Sequence, residues 1–390
     1  MSLSIYKSIS SVEWYPPAET KIPVKALVAA VLQGPADFER HLCNYLGVDM
    51  CILESTGRSL LCRLLKALRM MDERKRDEVL IPGYTCYSVA ASVVRAGLKI
   101  RVYDLEPDTL NPSMDSLKEN INDMTVAIIG QHLFGIPTSL EGLKNLASER
   151  CICFIEDSAQ ALGAKLKQNY LGTIGDFGLY SFGRGKPLPI GEGGALIGRD
   201  SSVLKELDLT QESSGWKSTL KAAGVQIMSQ SFVYGLAEAL PLGLGETVFE
   251  PDIQNAPMSI SMKKVAVKAL GFLPALNSCR NIIARVYMDH LDKSRTIPII
   301  DDATPIFTRF PVMAGPRNIS RGLRRLGVRR MYPKAIQDEF SIRPYLADNH
   351  LPTPGSALIA ESLITLPTHH MITETLAREI AREVKEHYRW

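Results

Sequence analysis

The chain has 390 residues, room for two or three domains at the usual ~150 residues each. Its 45% apolar and 22% charged residues are ordinary globular usage, which excludes a disordered or collagen-like chain. A net charge of +3, with Lys and Arg interspersed among Asp and Glu, leaves no electrostatic footprint for nucleic acid.

Seven cysteines at irregular spacing, with no Cys-x-x-Cys pair, argue against a zinc or thioredoxin motif and suit reduced thiols in the cytoplasm. The opening stretch MSLSIYKSISSVEW lacks a basic start followed by an apolar core, so no signal peptide is expected.

Residues 36–46 read as a helix, with Phe38, Leu42 and Tyr45 at helical spacing and Gly47 as its stop. Met50 to Leu53 is a short strand that breaks at Glu54-Ser-Thr-Gly57. Leu60, Leu61, Leu64, Leu65 and Leu68 then mark an amphipathic helix. The basic run Arg74-Lys75-Arg76 is expected at a solvated helix end, as is Arg324-Arg325. Strands follow at Val79–Pro82, Leu98–Tyr103, Thr125–Gly130 and Cys151–Ile155, separated by helices at Ser88–Ala96, 113–120 and Leu140–Ser148. On such a strand Cys151 and Cys153 would share a face. Short apolar runs alternating with helices predict a mostly parallel sheet covered on both faces. Gly191-Glu-Gly-Gly194 leads into Ala195–Ile197, a hairpin or sheet return. The stretch 225–244 is apolar but carries Gln226, Gln230, Glu238, Gly235 and Pro241, so a buried or interface helix is expected rather than a membrane span. Helix is predicted over roughly 258–292, 318–326 and 373–388, with a strand near Phe307–Val312. The expected organisation is an α/β large domain over 1–250 and a smaller α+β domain over 251–390.

Three local patterns carry chemistry. The strand Cys151 to Ile155 ends in Glu156-Asp157, at the carboxyl end where open α/β sheets bind ligands; Asp157-Ser-Ala-Gln160 also fits a helix cap. Leu179-Tyr-Ser-Phe182-Gly-Arg-Gly-Lys186-Pro187 sets a lysine after a glycine-rich loop that permits close approach to a ligand. A desolvated lysine attacks carbonyl carbons, although a loop lysine is usually an ordinary surface residue. Ser55-Thr-Gly57-Arg58 lies between a strand and a helix, where backbone N–H groups bind phosphate. A lysine with a strand-tip Asp is what pyridoxal phosphate (PLP) needs: the lysine holds the cofactor and the carboxylate keeps its ring nitrogen protonated.

In order and spacing these elements resemble the DegT/StrS family of sugar aminotransferases, across most of the chain. Ser55-Thr-Gly-Arg-Ser-Leu60 resembles the family's phosphate turn. Ile81-Pro-Gly-Tyr-Thr85, Val102-Tyr-Asp104, His132-Leu-Phe-Gly135, Glu156-Asp-Ser-Ala-Gln160, Gly172-Thr-Ile-Gly-Asp176, Tyr180-Ser-Phe182, Lys186 and Glu192-Gly-Gly194 are similar to its motifs. The resemblance implies a PLP-dependent transferase of the aspartate-aminotransferase-like fold (fold type I). It makes Lys186 the lysine that holds PLP and moves the proton. Asp157 would face the ring nitrogen and Gln160 the ring or its 3-hydroxyl, while Thr56, Gly57, Arg58 and Ser181 hold the phosphate. Asn255 would reach the phosphate in a neighbouring subunit, which implies a homodimer with shared sites. The expected reaction moves an amino group from an amino acid, with glutamate the expected donor, to a keto-sugar nucleotide.

The sequence departs from the pattern at several places. The family's ring-stacking aromatic is Cys86 here, with Tyr87 next to it, so either residue is a candidate against the ring. The Arg of the family's Asn-x-Arg segment is Pro257, and Met331-Tyr-Pro333 replaces a His-Tyr-Pro pattern. Relatives with His in place of the lysine act as sugar dehydratases, which Lys186 argues against. A PLP enzyme for a different ketone, or a non-catalytic or regulatory protein of the same fold, remain the alternatives. His132 is expected to be structural, Glu192 a turn residue, and His369-His370 a surface turn rather than a metal site.

Overall fold

The computed structural model describes residues 14–19, 28, 36–207, 248–253 and 256–390. Helix α1, Phe38–Leu46, starts where the Asp37 carboxylate accepts the Arg40 N–H (2.9 Å) and stops at Gly47, whose φ of 69° is left-handed. Strand β1, Cys51–Glu54, turns into α2, Gly57–Met71, which is capped by the Thr56 hydroxyl and buries Leu60, Leu61, Leu64 and Leu65. There follow β2 Glu78–Pro82, α3 Tyr87–Arg95, β3 Lys99–Tyr103, α4 Met114–Asn120, β4 Thr125–Gln131, α5 Glu141–Glu149 and β5 Cys153–Asp157. Two short strands, β6 Lys165–Leu166 and β7 Asn169–Tyr170, precede β8 Phe177–Ser181 and β9 Gly194–Gly198.

Seven strands form one sheet in the order β1-β9-β8-β5-β4-β2-β3. The pairs from β8 to β3 are parallel, and β9 runs antiparallel to both β1 and β8. Every residue of β2 and β4 is buried. Both faces of these central strands are covered, so their apolar runs are continuous rather than alternating. The return of β9 between two parallel neighbours is the hairpin expected at Gly191–Ile197.

After α6, Ser201–Lys205, the next helices among the described residues are α7 Ile260–Leu270 and α8 Leu273–His290. Helix α7 packs on α1; Met262 and Val265 join Phe38, Leu42 and Phe182 in one apolar cluster. The rest comprises β10 Ala303–Thr304, β11 Phe310–Met313, α9 Arg321–Arg325, α10 Pro354–Ser362, β12 Leu363–Leu366 and α11 Glu374–Tyr388. Strands β11 and β12 pair antiparallel, and α8 packs on α11.

Four expectations need correction. Cys151 does not share a strand face with Cys153, because its N–H closes the end of α5 on the Ser148 carbonyl (3.2 Å) and its φ is 53°. No helix follows Asp157: the carboxylate accepts the Ala159 N–H (3.0 Å) and the chain turns, with Ser158 N–H bonding Leu179 O. Arg76 is not a solvated helix end; it returns to the Asp72 carboxylate (2.6 Å) and donates to the carbonyls of Thr125 and Cys151. His369 is buried, its Nε2–H donating to Pro16 O (2.7 Å), while His370 is exposed. The stretch 225–244 lies outside the described residues; among those described, no helix is long and apolar enough to cross a membrane.

Candidate active site

The parallel strands β1, β8, β5 and β4 end on one rim of the sheet, and the turns that leave them surround a cavity of about 930 Å³. Its wall begins below β1. Glu54 is buried and ion-paired with buried Arg63 (Nε to Oε1, 2.6 Å), and the Ser59 hydroxyl donates to its other oxygen. That pair clamps the first turns of α2 to the end of β1. Thr56 caps the helix by accepting the Ser59 N–H (3.1 Å). Gly57 lies so close to β8 that a Cβ would stand 3.1 Å from Tyr180 O. The N-terminus of α2, with its partial positive charge and the Arg58 guanidinium, therefore opens on the cavity.

Across the cavity, Asp157 ends β5. Burial pushes its carboxyl above the usual range, opposed by the Ala159 N–H and by the positive field of Lys186. Lys186 lines the same cavity and reaches it through the loop after β8, where Gly185 takes a left-handed φ of 73°. Ser181 and Gln160 are also in the lining. The cavity thus brings together an anion-binding helix end, a lysine amine and a carboxylate that a cation would stabilise. Among the described residues no cluster of His, Cys, Asp or Glu could hold a metal ion.

The two candidates for the ring-stacking position separate. Cys86 caps α3 and lines the cavity, its Sγ accepting the Ser88 hydroxyl (3.0 Å). Tyr87 is buried outside the lining; its hydroxyl donates to Lys334 O (3.1 Å) and accepts from Lys334 N–H (3.2 Å). The chain turns helical at Cys86, so the next side chain points to the C-terminal segment. Asn255 lies outside the described residues, although Ala256 lines the cavity and accepts the Ser55 N–H (2.9 Å).

Behind Asp157 stands a buried network that the sequence only hinted at. Glu156 accepts from His132 Nε2–H (2.9 Å), Ile174 N–H (2.8 Å), Gly175 N–H (3.0 Å) and Gly172 N–H. Burial alone would raise this carboxyl; the bonds from His132, Gly172 and Gly175 outweigh it and hold it below the ordinary value. His132 Nδ1 accepts the Thr138 N–H (3.0 Å), which fixes the proton on Nε2. His132 is thereby a structural residue, and Glu156 ties the 172–175 turn to the strand that ends in Asp157. Glu192 lines the cavity and accepts the Ser259 N–H (3.2 Å) at the start of α7, as a turn residue does. Sequence reasoning passed over Tyr332, Glu250 and Asp252, which also line the cavity; the altered Met331-Tyr-Pro333 was the only sign of the first.

The model of the DegT/DnrJ/EryC1/StrS aminotransferase family matches residues 31–385. The chain belongs to that family. Among the curated members, an L-glutamine:2-deoxy-scyllo-inosose aminotransferase of Streptomyces kanamyceticus is 33% identical over 171 residues, 44% of this chain and 39% of that protein. A GDP-perosamine synthase of Vibrio cholerae is 28% identical over 167 residues, 43% of this chain and 45% of that one. The chain thus spans about two fifths of the length of the curated relatives it matches first. Among solved structures, Helicobacter pylori PseC, an aminotransferase of pseudoaminic acid biosynthesis, superposes over 97% of this chain and 100% of its own, with a TM-score of 0.75 at 18% identity. An E. coli GDP-4-keto-6-deoxy-D-mannose-3-dehydratase with bound hydrated PLP gives 0.73 at 18%, over 96% and 99%. The DegT/DnrJ/EryC1/StrS chain therefore has the α/β, fold type I architecture of these PLP-dependent enzymes.

Proposed function

We propose that the chain is a PLP-dependent aminotransferase that takes an amino group from an amino acid, glutamate being the expected donor, and gives it to the ketone of a keto-sugar nucleotide. One observation carries the reading: Lys186, Asp157 and the helix end at Thr56-Gly57-Arg58 line one cavity. These residues fit PLP by charge. The phosphate suits the N-terminus of α2, where Arg58 and the Ser181 hydroxyl add donors. The cationic ring nitrogen suits Asp157, whose buried carboxylate gains from a positive neighbour. Gln160 and Cys86 line the same cavity, where Gln160 would serve the ring edge and Cys86 the ring face.

Bound in this cavity, PLP supplies an electron sink that lets an amino group leave one substrate and join the next. Lys186 would hold the cofactor by its amine, and the same amine would serve as the acid and base that moves the proton. Asp157 would keep a proton on the ring nitrogen. Glu156 and His132 hold the strand end that aims Asp157, so the carboxylate needs little reorganisation when it is used.

A relative named as a 2-deoxy-scyllo-inosose aminotransferase, another named as a GDP-perosamine synthase and a neighbour described as an aminotransferase of pseudoaminic acid biosynthesis support an acceptor of the keto-sugar type. The dehydratase relative shows that the fold also serves other sugar chemistry; Lys186 favours amino transfer here. The same reading includes a homodimer in which Asn255 reaches the neighbouring site, a large domain over 1–250 with a small domain over 251–390, and action in the cytoplasm. All seven cysteines are unpaired, which suits a reducing compartment.

Turnover tests the proposal. With PLP, glutamate and a panel of keto-sugar nucleotides, the wild-type chain releases 2-oxoglutarate and an amino sugar. Lys186→Ala reduces the rate by at least about a thousandfold while its circular dichroism and Tm stay near wild type. A Lys186→Ala protein that keeps its activity overturns the assignment.

A further inference from the structure

A chain of hydrogen bonds with a fixed direction ends at Tyr332. The Phe134 backbone N–H, which can only donate, gives its hydrogen to Gln160 Oε1 (3.0 Å). That bond sets which way the Gln160 amide faces, so its Nε2–H₂ donates to the Tyr332 hydroxyl oxygen (3.1 Å). The oxygen is thereby an acceptor towards Gln160, and its own hydrogen must go elsewhere. Tyr332 lines the cavity, and among the described residues no acceptor is bonded to that hydrogen. Burial holds the phenol well above its ordinary range, so it stays protonated at any working pH.

The ring has no freedom to turn aside. Tyr332 is 1% exposed and packs against Tyr84 (centroids 5.1 Å apart) and Tyr87 (6.4 Å). Tyr87 is itself tied by two bonds to the Lys334 backbone. A buried donor left without an acceptor costs free energy, and a ligand oxygen in the cavity relieves it. A site built to bond one oxygen also rejects an analogue that lacks it.

From this geometry we infer that Tyr332 is a specificity-determining residue, an obligate hydrogen-bond donor to an oxygen of the bound substrate. The inference rests on the aminotransferase reading. The receiving oxygen is either a carboxylate oxygen of the amino acid donor or a hydroxyl or carbonyl oxygen of the sugar acceptor, and the two half-reactions tell these apart.

The test compares wild type, Tyr332→Phe and Tyr84→Phe, all loaded with PLP. Tyr332→Phe keeps the ring and its packing and removes only the hydroxyl; Tyr84→Phe removes a neighbouring phenol from the same stack. The two half-reactions are followed separately, glutamate against the PLP form and keto sugar against the pyridoxamine phosphate form. Tyr332→Phe is expected to lower kcat/KM about tenfold or more in one half-reaction, with Tm and PLP affinity unchanged and Tyr84→Phe near wild type. Loss in the glutamate half assigns the bond to the donor carboxylate, and loss in the sugar half assigns it to the acceptor. Unchanged kinetics of Tyr332→Phe in both halves, or an equal loss in Tyr84→Phe, overturns the inference. A wild type that neither binds PLP nor reacts with glutamate defeats the aminotransferase reading instead, and is recognised before any variant is compared.

Discussion

Asp157 and Glu156 are chain neighbours with opposite fates. Alternation along β5 sends Glu156 to the packed side, where four donors hold it ionised, and Asp157 to the cavity, where one backbone N–H and the field of Lys186 only partly offset its burial. Asp157 is thus a carboxylate awaiting a cation. Replacing it by Asn keeps shape and removes that charge, so Asp157→Asn should weaken PLP binding by on the order of 10–100-fold, measured by titration of the apoprotein. Affinity within twofold of wild type would remove the ring-nitrogen role. Lys186, Asp157, Thr56 and Gly57 were legible in the sequence because strand tips and glycine-rich turns leave local marks. Tyr332 and the Glu54–Arg63 pair left almost none. Their partners lie in other elements, and spacing along the chain says nothing of contacts made across it.

At the scale of elements, the site depends on backbone approach. Gly178 in β8 lies against the Gly172 carbonyl, and a Cβ there would overlap that oxygen. The Gly172–Gly175 turn is the one pinned by Glu156, so the overlap would pry the turn off the strand. Gly183, five residues on, would bring its Cβ only within 3.7 Å of Ser181 Oγ. Gly178→Ala is expected to cost on the order of 3 kcal/mol, and Gly183→Ala less than about 1 kcal/mol, in urea denaturation; equal losses would contradict this account of β8. Most helices and strands were predicted within a few residues, since periodicity and caps are local signals. Helix α10 and strand β12 were missed. The helix Pro354–Ser362 passes into Leu363–Leu366 without a turn residue, so two apolar runs merge into one. The small strands β6, β7 and β10 are two residues each, too short for any period to register.

Across the whole molecule, His369 joins the segment around Pro16 to the C-terminal part. Burial pushes its imidazole down to about 3, against an ordinary value of 6.5, so it is neutral in the folded protein. Between those values the unfolded chain binds the proton and the folded one does not. Stability is therefore complete above about pH 6.5 and falls as pH drops towards 3. Going from pH 7 to pH 5 should cost on the order of 2 kcal/mol from this residue. His369→Gln, which keeps a donor towards Pro16 O, should flatten that part of the curve; an unchanged acid slope would assign the loss to other groups. Sequence alone set His369 on a surface turn, because adjacent polar residues after a strand usually mark one, and the segment that covers it lies more than 350 residues earlier.

The central claim is that Lys186 holds PLP in the cavity and that an amino acid discharges its amine there. The most direct measurement is the absorbance spectrum of the purified wild-type protein with added PLP, before and after glutamate. The account predicts a band of lysine-bound PLP, absent in Lys186→Ala, that glutamate converts to the pyridoxamine phosphate spectrum with release of 2-oxoglutarate. A wild-type spectrum identical to that of free PLP would contradict it, and would return Lys186 to the ordinary loop lysines.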